Sequence, residues 1–400
     1  MTDVENIEKI IHDVFGVEKR IKNKKNTNGC ISPLNKAVKN YFAFNFLNRL
    51  YRLQKRFSGR DAETNDICEK IKNIGEAKEH QWAGPYSELV ALDFYSEFSE
   101  FFDISYINIL PISHHRNSIA ARNGQKGVID IDLCLHLKHD LIFTDVKSFN
   151  CVHLQIFDSI FEEIEEFASK IGKSVLVGVD NLSEIDYREV KNHLGIEKNK
   201  IRRDLKRAVS EGQKNLIYES DGLKFDFKIN YSSPKSSFLS TVKEYSPFAM
   251  AESYRYKFLD YGNKLVDNEY SLITIVRNPW FNEETVDFGD FNNIFYRSLS
   301  RRTFMELLRI DGDASDFSKT YSSASGISVS EVSRSLAGIV FIDDNSPSSR
   351  SQKGLYSAYI YLNPNYAAKN PLTIRKFEKY FRNGFERQIK DFDDFKFDNY

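Results

Sequence analysis

Cysteine is scarce in this sequence, and its few copies are far apart. The 400 residues include four of them, Cys30, Cys68, Cys134 and Cys151, and no two form a C-x-x-C pair. Zinc knuckles and disulfide-stapled secreted domains both need closely patterned cysteines. The spacing therefore fits neither class and predicts free thiols in a reducing, cytoplasmic setting.

Long apolar runs are also missing. No stretch approaches the roughly 18 consecutive apolar residues that a membrane-spanning helix needs. The opening stretch, MTDVENIEKI, is acidic and lacks the apolar centre of a signal peptide. We therefore expect no membrane partner and no secretion.

Neither sign of charge is in excess. The chain has 56 Lys and Arg against 57 Asp and Glu, which gives a formal net charge of −1. A histone-like or coat-like protein would carry a global basic field, so that class is disfavoured, whereas an enzyme with a local basic cleft is not. Apolar residues are plentiful, at 41% of the chain, and supply enough material for a folded core.

The periodicity of apolar residues predicts three regions. Residues 1–80 are expected to be helical, residues 81–280 to form a main domain, and residues 281–400 to add an accessory α/β region. The core of the main domain is predicted at 81–182. Its expected elements are a helix from about Tyr86, strands at 104–110, 128–137 and 140–148, a helix at 158–172 and a strand at 173–180.

The predicted strand IFTDVKS carries an acid and a base on one face, because side chains two positions apart on a strand point the same way. These residues are Asp145 and Lys147. Asp130 and Asp132 share a face on the preceding strand in the same manner. A hairpin turn at 138–139 places Asp145 opposite Asp132 and Lys147 opposite Asp130.

Facing carboxylates repel each other and destabilise a bare sheet. A divalent cation reverses that effect, and Mg²⁺ typically takes one or two carboxylates together with waters and substrate phosphate. The pattern therefore predicts half of a metal site with an ammonium group beside it. The alternative is an exposed sheet face with ordinary charges.

A third carboxylate lies on the preceding helix. Glu88 shares a helical stripe with the apolar residues Ala91, Leu92 and Tyr95, so we expect it to face the sheet. Asp93 is expected on the opposite, solvated side. A buried carboxylate needs a partner, and a metal held by the neighbouring strands would be one. The alternative for Glu88 is a snorkelling or capping acid.

This arrangement resembles the PD-(D/E)XK nuclease superfamily, whose members share the restriction-endonuclease-like fold. The likeness is carried by Glu88 on a helix, Asp130 or Asp132 on a strand, and the triplet DVK at 145–147, in the order helix, three strands, helix, strand over 81–182. The departures are that no Pro precedes either Asp and that the third acid is Asp rather than Glu. The resemblance implies an α/β (α+β) fold, αβββαβ, with a mixed sheet flanked by helices.

The resemblance also implies a metal centre. Asp132 and Asp145, helped by Glu88 and the Val146 carbonyl, would hold Mg²⁺, with Mn²⁺ as an alternative. Asp130 is the alternative ligand to Asp132, which is preferred because it should face Asp145.

The implied activity is hydrolysis of phosphodiester bonds, with Lys147 orienting a metal-bound water and offsetting charge in the transition state. The expected substrate is double-stranded DNA, cut by an endonuclease of the restriction or phage-defence type that acts as a homodimer or with a defence-complex partner. One alternative is an inactive nuclease scaffold used for nucleic-acid binding or assembly. Another is an unrelated hydrolase, such as a glycosidase, that uses two carboxylates without metal.

Two further segments are basic and predicted to be helical. IRRDLKR (201–207) and the stretch YRSLSRR (296–302) each concentrate several cations. Contact with nucleic-acid phosphates and a plain solvated face are both open for each segment.

Overall fold

The structure is a computed structural model that describes residues 3–21, 41–77, 82–97, 104–108, 112–113, 128–137, 140–149, 166–167, 170, 174–179, 187–220, 223–230, 247–266, 269–278, 291–317, 326–351, 354–368, 371–380 and 388–398. They belong to two compact units. We call Met1–Phe149 with Ala251–Tyr400 the sheet unit, and Asn150–Met250 the inserted unit. None of the described helices is long and apolar enough to cross a membrane.

The described strands, in chain order, are β1 (Ile104–Asn108), β2 (Ile112–Ser113), β3 (Val128–Ile129), β4 (Leu133–Leu137), β5 (Leu141–Ser148), β6 (Ser174–Val179), β7 (Asn215–Ser220), β8 (Leu223–Asn230), β9 (Tyr270–Arg277), β10 (Gly338–Asp344), β11 (Tyr356–Leu362) and β12 (Ile389–Asp393). The described helices are α1 (Asp3–Phe15), α2 (Phe42–Arg56), α3 (Asp61–Glu76), α4 (Ala83–Glu97), α5 (Tyr187–Ser210), α6 (Pro247–Tyr254), α7 (Phe291–Met305), α8 (Ala314–Phe317), α9 (Val329–Ser335) and α10 (Ile374–Tyr380). Two 3₁₀ segments, Arg255–Lys264 and Leu307–Arg309, follow α6 and α7.

The sheet unit is built on a seven-stranded mixed sheet with the order β1-β4-β5-β9-β10-β11-β12. Strands β5, β9 and β10 run parallel at its centre, and β4, β5 and β1 form an antiparallel edge. Every residue of β9 and β10 is buried, as expected for central strands covered on both faces. The predicted α/β class is confirmed.

Helices cover the two faces of this sheet. On one face, the Tyr95 hydroxyl of α4 is 2.8 Å from Thr274 Oγ1, which is 2.7 Å from Thr144 Oγ1. On the other face, Tyr296 of α7 stacks on Phe341 with ring centroids 4.1 Å apart. Because neighbouring residues of a strand point to opposite faces, each face is defined by alternate residues of β5, β9 and β10.

The strand predicted at 173–180 exists as β6, but its predicted place in the main sheet is wrong. It pairs antiparallel with β8 in the three-stranded sheet β6-β8-β7 of the inserted unit. The strand that runs parallel beside β5 is β9, which lies more than a hundred residues further along the chain. Continuous apolar runs suit both strands, so the pattern alone could not choose between them.

The grouping of the chain also differs from the predicted regions. The helices of residues 1–80 and the strands of 281–400 belong to the same unit as β4 and β5, because one sheet continues from β1 to β12. Within the inserted unit, β7 and β8 pair antiparallel, with Ser220 opposite Leu223. The predicted helix at 158–172 lies outside the described residues except for 166–167 and 170.

A buried charge network ties α2 and α4 to the sheet. The Arg49 guanidinium is fully buried, with Nη2 donating to Asp344 Oδ1 at 3.0 Å and Nε 3.6 Å from Asp93 Oδ2. Arg52 Nε donates to Asp93 Oδ1 at 2.8 Å. The expected solvated position of Asp93 is therefore wrong, because α4 is covered on nearly all sides and its acid is neutralised by arginines of α2.

We predict that Arg49→Met lowers the free energy of unfolding by about 3–5 kcal/mol, because it leaves Asp344 buried without its guanidinium partner. Urea unfolding followed by circular dichroism measures the loss. Lys55→Met, an exposed position on the same helix, is the matched control and should change stability by less than about 0.5 kcal/mol. Equal effects from the two variants would contradict the network's role.

Candidate active site

Strand β5 presents Asp145 and Lys147 on one face of the main sheet. Asp145 aligns with Ile273 and Lys147 with Ile275 in the parallel ladder with β9. Ile275 in turn aligns with Phe341, which lies under α7. The acid and the amine therefore share the α7 face, as the alternation of the strand predicts.

The described pairs of the β4–β5 hairpin keep the predicted register, but the strand predicted at 128–137 is divided, so Asp130 and Asp132 lie between β3 and β4. Leu133, the first residue of β4, pairs with Thr144, and the predicted pairs of Asp132 with Asp145 and of Asp130 with Lys147 are not formed in this ladder. The Val146 backbone N–H donates instead to Asp132 Oδ2 at 2.7 Å. The side chain thus replaces a ladder hydrogen bond, which holds the Asp132 carboxylate beside β5.

Two ammonium groups neutralise Asp145, whose side chain is only 4% exposed. Lys264 Nζ donates to Oδ1 at 2.8 Å. Lys147 Nζ lies 2.6 Å from Oδ2, close enough for an ion pair. That contact is poorly aligned for a hydrogen bond, and Oδ2 is a buried oxygen without an aligned donor.

The surroundings of this cluster are largely apolar. Asp145 and Lys264 line a small cavity with Ile131, Phe143, Tyr261 and Ile273. Lys147 Nζ is 5.2 Å from the centre of the Tyr261 ring, within the range of a cation–π contact. Burial, and then the charge of Asp145, raises the pKa of Tyr261, so its hydroxyl stays neutral.

Asp132 is the strained member of the carboxylate pair. Burial, followed by the negative charges of Asp145 and Glu88, raises its pKa to about 8, against the lowering effects of Lys147 and the Val146 N–H. Carboxylates that repel each other in a poorly solvated place are typical of functional sites.

Within the described residues, Glu88 forms an ion pair with Lys70, and its interaction with Asp132 is electrostatic. Helix α4 lies on the Thr144 face, opposite the side chains of Asp145 and Lys147. Glu88 Oε2 is 2.5 Å from Lys70 Nζ of α3. Its negative charge is one of the causes, after burial and Asp145, that raise the pKa of Asp132. Asp130 is exposed.

The donor set fits a cation that takes few protein ligands. Within the described ranges, no group of three or more His, Cys, Asp and Glu side chains is arranged to hold a metal ion. A pair of facing carboxylates, one with a strongly raised pKa and one with an orphaned buried oxygen, suits Mg²⁺ completed by waters and substrate phosphate. Asp132 and Asp145 are the residues that would hold it.

Three residues of the cluster were not predicted from the sequence. Lys264 and Tyr261 come from the 3₁₀ segment before β9, and Lys70 comes from α3. The segment RYKFLDYGNK forms a 3₁₀ helix, as the helix predicted near 248–266 leads one to expect, but its sequence alone does not indicate which side chains are directed toward β5. Only the pairing of β5 with β9, across the whole inserted unit, brings Lys264 to Asp145.

Comparison of the chain with family models, curated proteins and solved structures gave no match. Any function therefore has to be argued from the cluster itself.

We predict that Asp132→Asn stabilises the metal-free protein at pH 8 relative to pH 5. The raised pKa means that the folded state holds a proton which the unfolded chain releases near pH 4. Ionisation thus costs stability progressively as the pH rises toward 8, and Asn, which still accepts from Val146 N–H, removes that cost.

The measurement is urea unfolding in EDTA at both pH values. We expect the free energy of unfolding of the variant, minus that of wild type, to be about 2 kcal/mol larger at pH 8 than at pH 5. Asp130→Asn, at an exposed carboxylate two residues away, should give no such gain. A difference for Asp132→Asn that is the same at pH 5 and pH 8 would refute the proposed repulsion.

Proposed function

We propose that this protein is a divalent-cation-dependent nuclease that hydrolyses phosphodiester bonds, with double-stranded DNA as its expected substrate. The observation that carries the proposal is the convergence at Asp145. A second carboxylate, Asp132, accepts a hydrogen bond from the backbone N–H of Val146, the residue after Asp145, and two ammonium groups lie 2.6 and 2.8 Å from the Asp145 oxygens.

The order of elements in the sheet unit supports this proposal. In the main sheet, helix α4 is followed by β1, β4 and β5, with β2 and β3 forming a separate two-stranded sheet between β1 and β4 in the chain. The helical segment of α6 with Arg255–Lys264 comes next, and then β9 beside β5. Helix, three strands, helix, strand is the order of the PD-(D/E)XK core that the sequence resembles. Here the inserted unit separates the first four elements from the last two.

The chain's own residues divide the chemistry between them. Asp132 and Asp145 would hold Mg²⁺ or Mn²⁺, and the bound cation supplies Lewis-acid polarisation and a more acidic water. The Lys147 ammonium group lies beside Asp145, so it can donate a hydrogen bond to a phosphoryl oxygen that gains negative charge in the transition state. Lys264 keeps the Asp145 carboxylate oriented, and the apolar lining strengthens each of these charge interactions.

An inactive scaffold that binds nucleic acid is the second candidate. The observation that favours it is that Asp145 already has an ammonium group beside each of its oxygens. A metal-free hydrolase using the Asp132 and Asp145 pair is a third, and its activity would persist in EDTA.

We predict that purified protein cleaves plasmid DNA with Mg²⁺ or Mn²⁺, and that Lys147→Ala lowers the rate by about a hundredfold or more. Rates are measured on double-stranded DNA, single-stranded DNA and RNA, each with and without EDTA. Lys390→Ala, an exposed lysine on β12 of the same sheet, is the control and should cleave like wild type. Cleavage in EDTA, or equal rates for Lys147→Ala and wild type, would refute the mechanism.

Lys264 should have opposite effects on cation binding and on turnover. Although burial opposes it, the charge of Asp145 raises the pKa of Lys264, so its ammonium stays charged and competes with an incoming cation. We predict that Lys264→Gln binds Mg²⁺ several-fold more tightly by calorimetry but turns over about tenfold more slowly. Weaker Mg²⁺ binding in this variant would show that the ammonium does not compete for Asp145.

A further inference from the structure

The two basic segments, IRRDLKR and YRSLSRR, differ in how their cations are placed in the structure. In α7, the arginines of YRSLSRR are engaged in ion pairs within the sheet unit. Arg301 Nε and Arg297 Nη2 each lie 3.0 Å from an Asp398 oxygen, and Arg302 Nη1 lies 2.8 Å from Glu306 Oε1. Arg297 also pairs with Asp393. These cations therefore hold the end of the chain against α7.

The cations of IRRDLKR in α5 face outward instead. Ile201, Leu205 and Ala208 are buried on one side of the helix. The exposed side carries four basic residues, which we call the basic face: Arg202, Arg203, Lys206 and Arg207.

Little negative charge lies among these cations. The stretch 196–214 contains seven Lys and Arg and three Asp and Glu, in a chain whose net charge is −1. Of those acids, Glu197 is buried and accepts a hydrogen bond from Tyr218, and Asp204 pairs with Arg207 at 3.2 Å. The hydrogen bond and charge of Lys170, and to a smaller extent the charge of Arg202, lower the pKa of Glu166. The basic face therefore keeps an excess of positive charge in solvent.

The geometry of the basic face suits a phosphate backbone. Residues four apart on a helix have side-chain roots about 5–6 Å apart. Phosphates of one strand rise by about 3.4 Å along the duplex axis and also advance around it, so the distance between neighbouring phosphates is comparable. Long flexible arms on Arg and Lys absorb the remaining mismatch.

The chain leaves the sheet unit and returns to it at two residues that contact each other within that unit. Strand β5 ends one residue after Lys147, and Phe149 stacks on Tyr254 with ring centroids 5.4 Å apart. Tyr254 immediately precedes the 3₁₀ segment that carries Lys264. Both ends are thus joined within the sheet unit, and a nucleic acid held by the inserted unit would have a raised effective concentration for the other unit.

We propose that the basic face of α5 binds the phosphate backbone of a polynucleotide, giving the protein affinity without sequence choice. The choice of a polynucleotide as the partner rests on the proposed nuclease function. The surface itself is independent of the residues that would hold the cation.

The test compares two double variants of the full-length chain. Arg202→Gln with Lys206→Gln removes two charges from the basic face. Arg375→Gln with Lys379→Gln removes the same residue types, also exposed and four apart, from α10 of the sheet unit. The charge-retaining exchange Arg202→Lys with Lys206→Arg serves as the conservative variant, and circular dichroism checks that every variant is folded.

Binding is measured by fluorescence anisotropy in EDTA, so that no cleavage occurs, on labelled duplex DNA, single-stranded DNA and duplex RNA. Salt is varied from about 50 to about 200 mM. Loss of the two charges should weaken binding about tenfold and reduce the slope of log K against log salt by about one for each lost contact. The α10 variant and the conservative variant should keep the wild-type slope.

Equal slopes for wild type and the Arg202→Gln, Lys206→Gln variant would overturn the proposal, as would an equal loss in the α10 variant. Displacement of the DNA by polyglutamate at the same charge concentration would also overturn it, because the surface would then favour acidic protein. Among the three nucleic acids, the strongest wild-type binding identifies the backbone form that the face prefers.

Hydrolysis of bis(4-nitrophenyl) phosphate with Mg²⁺, measured in parallel, separates this proposal from the nuclease function. That substrate has no extended backbone, so the Arg202→Gln, Lys206→Gln variant should hydrolyse it like wild type. Salt-dependent binding through the basic face without any hydrolysis would leave the surface intact and refute the nuclease. Hydrolysis without a slope change would do the reverse.

Discussion

Repulsion between two carboxylates is the constraint on which the candidate site depends. Asp132 directly precedes β4, and its side-chain hydrogen bond from Val146 N–H holds its carboxylate beside the β5 segment that carries Asp145. The protein offsets the negative charge with the ammonium groups of Lys147 and Lys264. A site neutralised by flexible lysine arms is prepared to exchange one kind of positive charge for another, since an ammonium can withdraw without leaving a gap in the core.

The rigidity behind this arrangement comes from the opposite face of the sheet. Helix α4 is anchored there by hydroxyl contacts between Tyr95 and Thr274 and by the arginines that neutralise Asp93. Because these contacts are buried, β5 and β9 have little freedom to slide, and Asp145 keeps its place relative to Lys264. Buried charge in the sheet unit is thus neutralised by arginines at Asp93 on α4, and by lysines at Asp145 on the α7 face.

Short-range features of the sequence were sufficient for part of this structure. The alternation of β5 and the short β4–β5 connection determine that Asp132, Asp145 and Lys147 meet, and both are visible in a window of about twenty residues. The neighbour of β5 is not visible in that way, because β6 and β9 are equally apolar and only packing selects β9. Lys264 was missed for the same reason. Asp93 was misplaced because helical periodicity does not reveal that α4 is enclosed on both sides.

The stacking of Phe149 on Tyr254 has a consequence for how such a protein can change. Where two points of a chain already contact each other, a folded segment inserted between them adds little loop-closure entropy to the cost of folding. Strands β5 and β9 pair directly although the inserted unit separates them in the chain. Exchange of the inserted segment would therefore change a whole surface of the protein while leaving the paired strands of the sheet unit as they are.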